Sequence, residues 1–573
     1  MSTQDNPSEL KIPKVARIED KANSTFLEVI EFPVSDTARR RLELAPSVIN
    51  NLGSFENALR DAGANLPKDR NELKRLLTKV AMSDPPEQRV YEAHVGWTKN
   101  GNAYVTADNV IGQMPNNIVG VNRSNSIDDL SGKLSTSGDW NSWRDNVGEL
   151  ARLSSIMMLA ICISFAAPLL YVLKRRSFMI CISGKTRTGK TVATLMGSSI
   201  PGIGQVDQLI TWRLTDARLE QRLAEYNDAV FPIDDLETMS EKGAKEKYLR
   251  IRNIAYNLEQ GWAMGRHNSF AITHGGAHEH WRCIAITSNE KSIRDLAQSA
   301  KLNRQPGETL RLIDVPAVLS GLDHIFDRSP SNSEISDFQD WKAETFSKIA
   351  HACEQNHGAT FQKYISKLIA HRNGLKQYLH AGINYFVKQV RDECDGDIAR
   401  DVAEKFGLIF VGGMLGKRYG LVPWKKSELL DAVTKCYLAA RELLPDDGVA
   451  LRHGIQALKE RLRELPSLSD QPTSKTAKWH YENVDGYRKG ESSMYRCIIK
   501  CDAFNSIFAS TYERNLVLNW LIRKGQIALA VSKTATPGSE PRLKKQHEWP
   551  DGERRRSYEI CWPRKSKTDD ITK

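Results

Sequence analysis

Eight residues carry the clearest chemistry. Gly184-Lys185-Thr186-Arg187-Thr188-Gly189-Lys190-Thr191 follows the apolar run 178–183 and precedes Val192, Ala193, Leu195 and Met196. The pattern G-x-x-x-x-G-K-T between a strand and a helix is that of a phosphate-binding loop. Its backbone N–H groups and the helix N-terminus cradle phosphates, Lys190 reaches the β/γ oxygens, and the Thr191 hydroxyl is the Mg²⁺ ligand. ATP and Mg²⁺ are therefore the expected cofactors. Further on, Val230-Phe231-Pro232-Ile233 leads into Asp234 and Asp235, an apolar strand with an acidic end. In a nucleotide hydrolase the first acid, Asp234, orients Mg²⁺ and its waters, and the second polarises the attacking water. Asp235 is the expected base, with Glu237 the alternative. A third apolar run ends in Thr287-Ser288-Asn289, where Asn289 or Ser288 can reach toward the γ-phosphate, or simply cap the helix that follows. Arg311 and Arg304 come last. Either can neutralise transition-state charge in a neighbouring subunit's site, or serve as an ordinary surface ion pair.

Two other groups of residues invite attention. Four histidines fall within residues 267–280, but H-x-x-x-H-E-H is not a zinc spacing, Cys283 belongs to the apolar run that follows, and the flanking glycines suggest a hairpin. With Arg266 and His267 in it and Lys242 and Lys245 nearby, that hairpin is expected to touch nucleic acid. Near the end of the chain, Lys544, Lys545, Arg554, Arg555 and Arg556 are expected to contact phosphates, which positions a strand without reading its sequence. The alternative is a lid or oligomer contact with an ordinary basic surface.

These residues need elements to hold them. Alternating helical and strand patterns over 141–345 suit a parallel α/β core, an AAA+-like P-loop ATPase core. Residues 1–24 read as a disordered tail and 25–115 as an N-terminal α+β domain. Residues 116–140 form a polar linker, 346–450 a helical domain and 451–493 a second linker. Residues 494–573 read as a basic unit with the helix, strand, basic loop, strand order of a winged helix. The segment 156–173 is apolar apart from Ser164, near the lower limit for a membrane span. Pro168 and the loop strand just beyond it favour a buried helix instead.

Bulk properties agree. The 573 residues carry a net charge of +11, and 451–573 hold 24 Lys and Arg against 15 Asp and Glu. A basic end favours a polyanionic partner, nucleic acid before membrane. The nine cysteines are scattered without C-x-x-C, as in a reducing compartment. The N-terminus lacks the apolar run of a signal peptide, so a cytoplasmic location is expected.

A wider set of residues carries a family resemblance. Gly138-Asp139-Trp140 and Trp143 precede Phe165-Ala166-Ala167-Pro168-Leu169-Leu170. Thr211-Trp212-Arg213, Thr215, Leu219-Glu220 and Asn227-Asp228 follow the phosphate loop, and Gly265-Arg266, Trp281-Arg282 and Gly307…Arg311-Leu312-Ile313-Asp314-Val315-Pro316 come later. Together they resemble the helicase-like ATPases of prophages and integrated mobile elements, first catalogued as a domain of unknown function. That group includes replication helicases of staphylococcal cassette and pathogenicity-island elements, and looks related to superfamily III and minichromosome-maintenance-type AAA+ hexamers. The resemblance covers residues 25–330. It implies a ring ATPase, as a hexamer, that moves on single-stranded or forked DNA during replication of a mobile element, with a primase or other replication protein as a partner. The family favours Glu where this chain has Asp235, which favours a second reading, an ATP-switched DNA-binding initiator; a third is the ATPase of an anti-phage defence system, similar in core but driving another effector.

Overall fold

The computed structural model describes residues 12–21, 25–35, 38–92, 94–107, 109–113, 118–120, 134–263, 280–319, 322–329, 337–468, 482–490, 494–528 and 545–563. The chain forms two compact units. One comprises Met1–Val390 with Asp401–Leu443, the other Arg391–Arg400 with Leu444–Lys573.

The first unit opens with β1 (Lys14–Asp20), β2 (Thr25–Pro33) and β3 (Arg39–Leu44), then β4 (Gln88–Tyr91). Short strands β5 (Gly96–Trp97), β6 (Ala103–Val105), β7 (Val110–Gly112) and β8 (Ile118–Gly120) follow. A five-stranded sheet in the order β3-β2-β1-β4-β8 is backed by helices Leu52–Asp61 and Arg70–Met82. Phe32, Phe55, Leu59, Leu73 and Leu77 form its core. Residues 14–20, expected in a disordered tail, are strand β1: Ala16, Ile18 and Asp20 are buried at alternate positions, a period that charged neighbours mask in the sequence.

The central layer is a parallel sheet. Its strands are β9 (Phe178–Ser183), β10 (Ile210–Thr211), β11 (Val230–Asp234), β12 (Ile284–Asn289) and β13 (Leu312–Pro316), in the spatial order β10-β11-β12-β9-β13. Every residue of β9, β11 and β12 is buried. This explains their continuous apolar runs, because a parallel sheet covered on both faces has no solvated side.

The apolar segment before β9 is helix Ser155–Ala166, all twelve residues buried, followed by helix Leu169–Leu173. No helix among the described residues is long and apolar enough to cross a membrane. Helix 155–166 packs closely on helix Lys190–Ser199: a Cβ on Gly197 would meet the Ala160 carbonyl at 2.8 Å, and the Ser164 hydroxyl donates to the Gly197 carbonyl at 2.7 Å.

Helices Phe338–Gln355, Ala359–Ala370, Leu375–Val390, Asp397–Arg418 and Lys426–Arg441 supply the expected helical region. The first of them crosses the expected 345/346 boundary and packs on the phosphate loop, and residues to 443 (391–400 aside) stay within the first unit.

In the second unit, helix Asp447–Glu464 occupies much of the expected linker, burying Leu451, Leu458 and Leu462 beneath a charged surface. Strands β14 (Gly486–Gly490), β15 (Met494–Lys500), β16 (Lys545–Glu548) and β17 (Arg554–Pro563) form an antiparallel sheet in the order β14-β15-β17-β16, joined by helix Thr511–Arg523.

Candidate functional site at the carboxyl edge of the parallel sheet

β12 lies between β9 and β11. That order decides the site, because the ends of three parallel strands then meet at one edge. Asn289 pairs with Ser183, the last residue before the loop, and the Gly184 N–H donates to the Asn289 carbonyl at 3.0 Å. On the other side, the Asp235 N–H donates to the Ser288 hydroxyl at 3.2 Å. Loop, polar strand end and acidic strand end are thus tied together, by a backbone bond on one side and by the Ser288 hydroxyl on the other.

Within the loop, Gly189 has φ 105°, and a Cβ there would meet the Phe346 ring at 2.7 Å and Ile325 at 3.0 Å. The position needs glycine twice over, for conformation and for space. Lys190 opens helix 190–199 and is only 9% exposed. Its ammonium donates to the Gly184 carbonyl at 2.6 Å and the Lys185 carbonyl at 2.8 Å, and burial pushes its pKa down. The Thr188 hydroxyl donates to the Lys185 carbonyl at 2.9 Å, and Thr186 bonds to Glu290. Lys185, Thr186 and Arg187 are exposed, Thr191 is half-buried in the first helical turn, and Arg187 has φ 63°.

The acids differ from each other. Asp234 is 6% exposed and its Oδ1 has no hydrogen-bond partner among the described residues. Asn289 is 2% exposed; its amide donates to the Lys291 carbonyl at 2.8 Å and its Oδ1 is likewise orphaned. Buried acceptors left without donors are costly. Two at one strand edge beside a lysine fit a hydrated cation and a polyphosphate. Asp235 sits at φ 53°, a strained backbone for a non-glycine residue. Burial raises its pKa, helped by Asp234 and Glu237 and opposed by the Glu237 N–H and Lys190. Glu237 is ion-paired with Lys247 on helix Ala244–Gln260.

The two arginines part ways. Arg304 is buried, with an ion pair to Asp314 at 2.7 Å and a bond to the Leu312 carbonyl. Both of these bonds lie inside the fold. Arg311 is partly exposed, stacks on Tyr256 at 4.4 Å and pairs with Glu259 at 2.6 Å. It lies level with the start of β9, since Leu312 pairs with Met179. The six residues of β9 put it about 17 Å along the strand from the loop, too far to serve its own chain's site.

Several residues of the sequence pattern turn out to be supports. The Trp143 indole N–H donates to Ser199 at 2.8 Å, pinning the loop helix. The Asn227 amide donates to the Val95 carbonyl at 2.8 Å, and Asp228 accepts from the Trp97 N–H at 3.0 Å and pairs with Arg282 at 2.7 Å, so the β5–β7 sheet docks on the turn before β11. Trp212 is a support that sequence reasoning left without a role. Its indole N–H donates to the Thr287 hydroxyl at 2.9 Å and holds β12 from below the site. The only available signal is an aromatic with one donor facing a polar strand end.

Arg266, His267 and Lys544 lie outside the described residues. Of the four histidines only His280 is described. It packs edge-on to His94 at 4.1 Å, and burial, with His94 and Arg282, pushes its pKa down to about 4. Arg554 and Arg556 are exposed on β17, and Lys545 on β16 lies 4.0 Å from Glu559. Arg555 is paired with Asp551 at 2.6 Å and stacked over Trp549 at 5.0 Å, which leaves it less free for phosphate.

The fold and the edge site define a mixed α/β protein whose parallel sheet gathers the 184–191 loop, an acidic pair and a buried asparagine. Comparison with known proteins adds to this. Residues 9–277 match the family described as "Domain of unknown function (DUF927)". The solved structure described as "SCCmec type IV Cch - active helicase" is 15% identical, covers 96% of this chain and 93% of its own, and superposes with a TM-score of 0.51. The protein therefore has a helicase-like fold. The "A form apo structure of NrS-1 C terminal region-CTR" is 10% identical over 70% of this chain and 86% of its own, with a TM-score of 0.27, a likeness too distant to define a fold. No curated protein matches.

Proposed function

We propose that this protein is an ATP-dependent DNA helicase or translocase of a phage or mobile element, working as a ring, with a hexamer as the expected form. The observation that carries this reading is the meeting of Lys190, Asp234, Asp235 and Asn289 at one strand edge, with the Asp234 and Asn289 Oδ1 atoms orphaned. The β12 strand between the loop strand and the acidic strand supports an AAA+-like core, because it sets Asn289 between phosphate and acid. The helicase-like fold supports the choice of motor.

In this account the loop N–H groups and Lys190 bind the phosphates, with Lys190 leaving its two carbonyl partners to do so. Thr191 and Asp234 would hold Mg²⁺, which supplies charge neutralisation on the phosphate oxygens. Asp235 takes the proton of the attacking water. Asn289 positions that water. Arg311 acts on the neighbouring subunit's nucleotide. Arg554, Arg556 and Lys545, in a basic unit of winged-helix kind, would contact DNA phosphates.

A second reading, an initiator switched by ATP binding with slow turnover, is favoured by the short Asp235 arm. ATP hydrolysis measured with and without single-stranded DNA separates the two. Strong stimulation is expected for the motor; a slow rate indifferent to DNA would overturn it in favour of the switch.

A further inference from the structure

The second unit holds a groove that the reading above does not use. Its cavity is about 1020 Å³ and is bounded by helix 447–464, helix 511–523 and the β14–β15–β17 face. That is the upper end of the size that takes a small organic ligand. The chemistry of its lining is unusual. Tyr495 and Trp562 are direct cross-strand partners, and Arg488, paired with Cys497, falls on the same face. The Arg488 guanidinium lies 5.1 Å from the Tyr495 ring, and Trp520 lies 6.3 Å from Trp562. Lys459 and Arg463 project from one face of helix 447–464 at i, i+4 spacing.

Charge and satisfaction point to a ligand. Two other cations of the lining are committed, Arg452 to Asp395 at 2.9 Å and Lys524 to Glu393 at 2.7 Å. Lys459, Arg463 and Arg488 have no carboxylate partner among the described residues. Among the described residues the buried indole N–H of Trp520 has no acceptor and the buried Gln526 Oε1 has no donor, and both residues line the groove. An unpaired donor and an unpaired acceptor in one lining, together with indole rings and three cations, match an anionic ligand with a flat polar ring.

We infer that this groove binds single-stranded nucleic acid, with phosphates on Lys459, Arg463 and Arg488 and a base against Trp562 and Trp520. Base stacking on aromatics with cations along the backbone is how strands are held without sequence preference. The inference rests on the nucleic-acid reading above and adds a strand site separate from the exposed arginines of β17.

The test uses the full chain and a fluorescent oligothymidylate, read by anisotropy across a salt series. K459E/R463E should weaken binding at least about tenfold and flatten the log-affinity against log-salt slope by about 1.4, or about 0.7 for each phosphate no longer neutralised. W562A should cost about tenfold through weaker stacking, and W562F should restore most of it. ATP hydrolysis without DNA should be unchanged in all three, which separates this claim from the ATPase assignment. Unchanged affinity and slope in K459E/R463E would overturn the site. So would equal competition by duplex DNA, by inorganic phosphate or by a phosphopeptide.

Discussion

Asp235 is where a single side chain bears most on turnover. On the proposed reading Asp235 is the base, and its raised pKa means that it is protonated, and lost, at a pH where an ordinary aspartate is still ionised. Activity therefore falls as pH drops through that raised value and is regained above it. The acid limb of the pH–rate profile should sit above the ordinary aspartate value. Asp235→Asn should lower kcat by about 10²- to 10⁴-fold while nucleotide affinity, read by a fluorescent ATP analogue, holds. Glu237→Gln should do far less, since that carboxylate is paired with Lys247. Gly189→Ala should abolish nucleotide binding through the clash with Phe346 and the left-handed backbone. The loop and the acidic pair could be read from residue types and spacing alone, because phosphate chemistry demands them. Which arginine is buried could not: Arg304 and Arg311 look alike in sequence, but Arg304 is enclosed with the buried Asp314 while Arg311 stays partly exposed beside Glu259.

At the scale of elements, the placement of β12 does the organising, and this depends on strand order, which no local pattern encodes. Trp212 holding Thr287 and Trp143 holding Ser199 are the braces. The long apolar runs announced buried strands correctly, since the parallel core has no wet face. Amphipathic elements were harder. β1 and helix 447–464 carry so many charges on their solvent side that composition suggests a tail and a linker. β1 also contains a buried ionic cluster. Glu28 pairs with Lys14 at 2.6 Å and Arg17 at 2.8 Å, and Lys14 reaches the Ala81 carbonyl at 2.8 Å. Burial pushes the Glu28 pKa up, but the bonds from Lys14 and Arg17 outweigh it and hold the carboxyl below its ordinary value. Its stabilisation is thus present above the usual glutamate range and is lost as pH falls through the depressed value. Glu28→Gln should cost about 3 kcal/mol by leaving Lys14 buried and half-paired, measured by urea unfolding at neutral pH. The difference from wild type should shrink in acid.

For the whole molecule, the account requires more than one copy. Arg311 lies at the far end of β9 from its own loop, so on the proposed reading it would act on another chain's nucleotide. Arg311→Ala should lower ATP hydrolysis by about 10³-fold. Mixing it with Lys190→Ala should restore part of the rate, because some interfaces then pair an intact lysine with an intact arginine. No recovery on mixing would place the arginine's effect within one chain. The basic charge of residues 451–573 belongs to the same scale, and binding to DNA should weaken steeply with salt.

The central claim is that the edge site drives strand separation. Unwinding of a labelled forked DNA, with ATP hydrolysis followed in the same reaction, tests it most directly. Wild-type protein should separate the strands only with ATP and Mg²⁺, and Lys190→Ala should neither hydrolyse nor unwind. A Lys190→Ala protein that hydrolyses ATP and opens the fork at the wild-type rate would contradict the account.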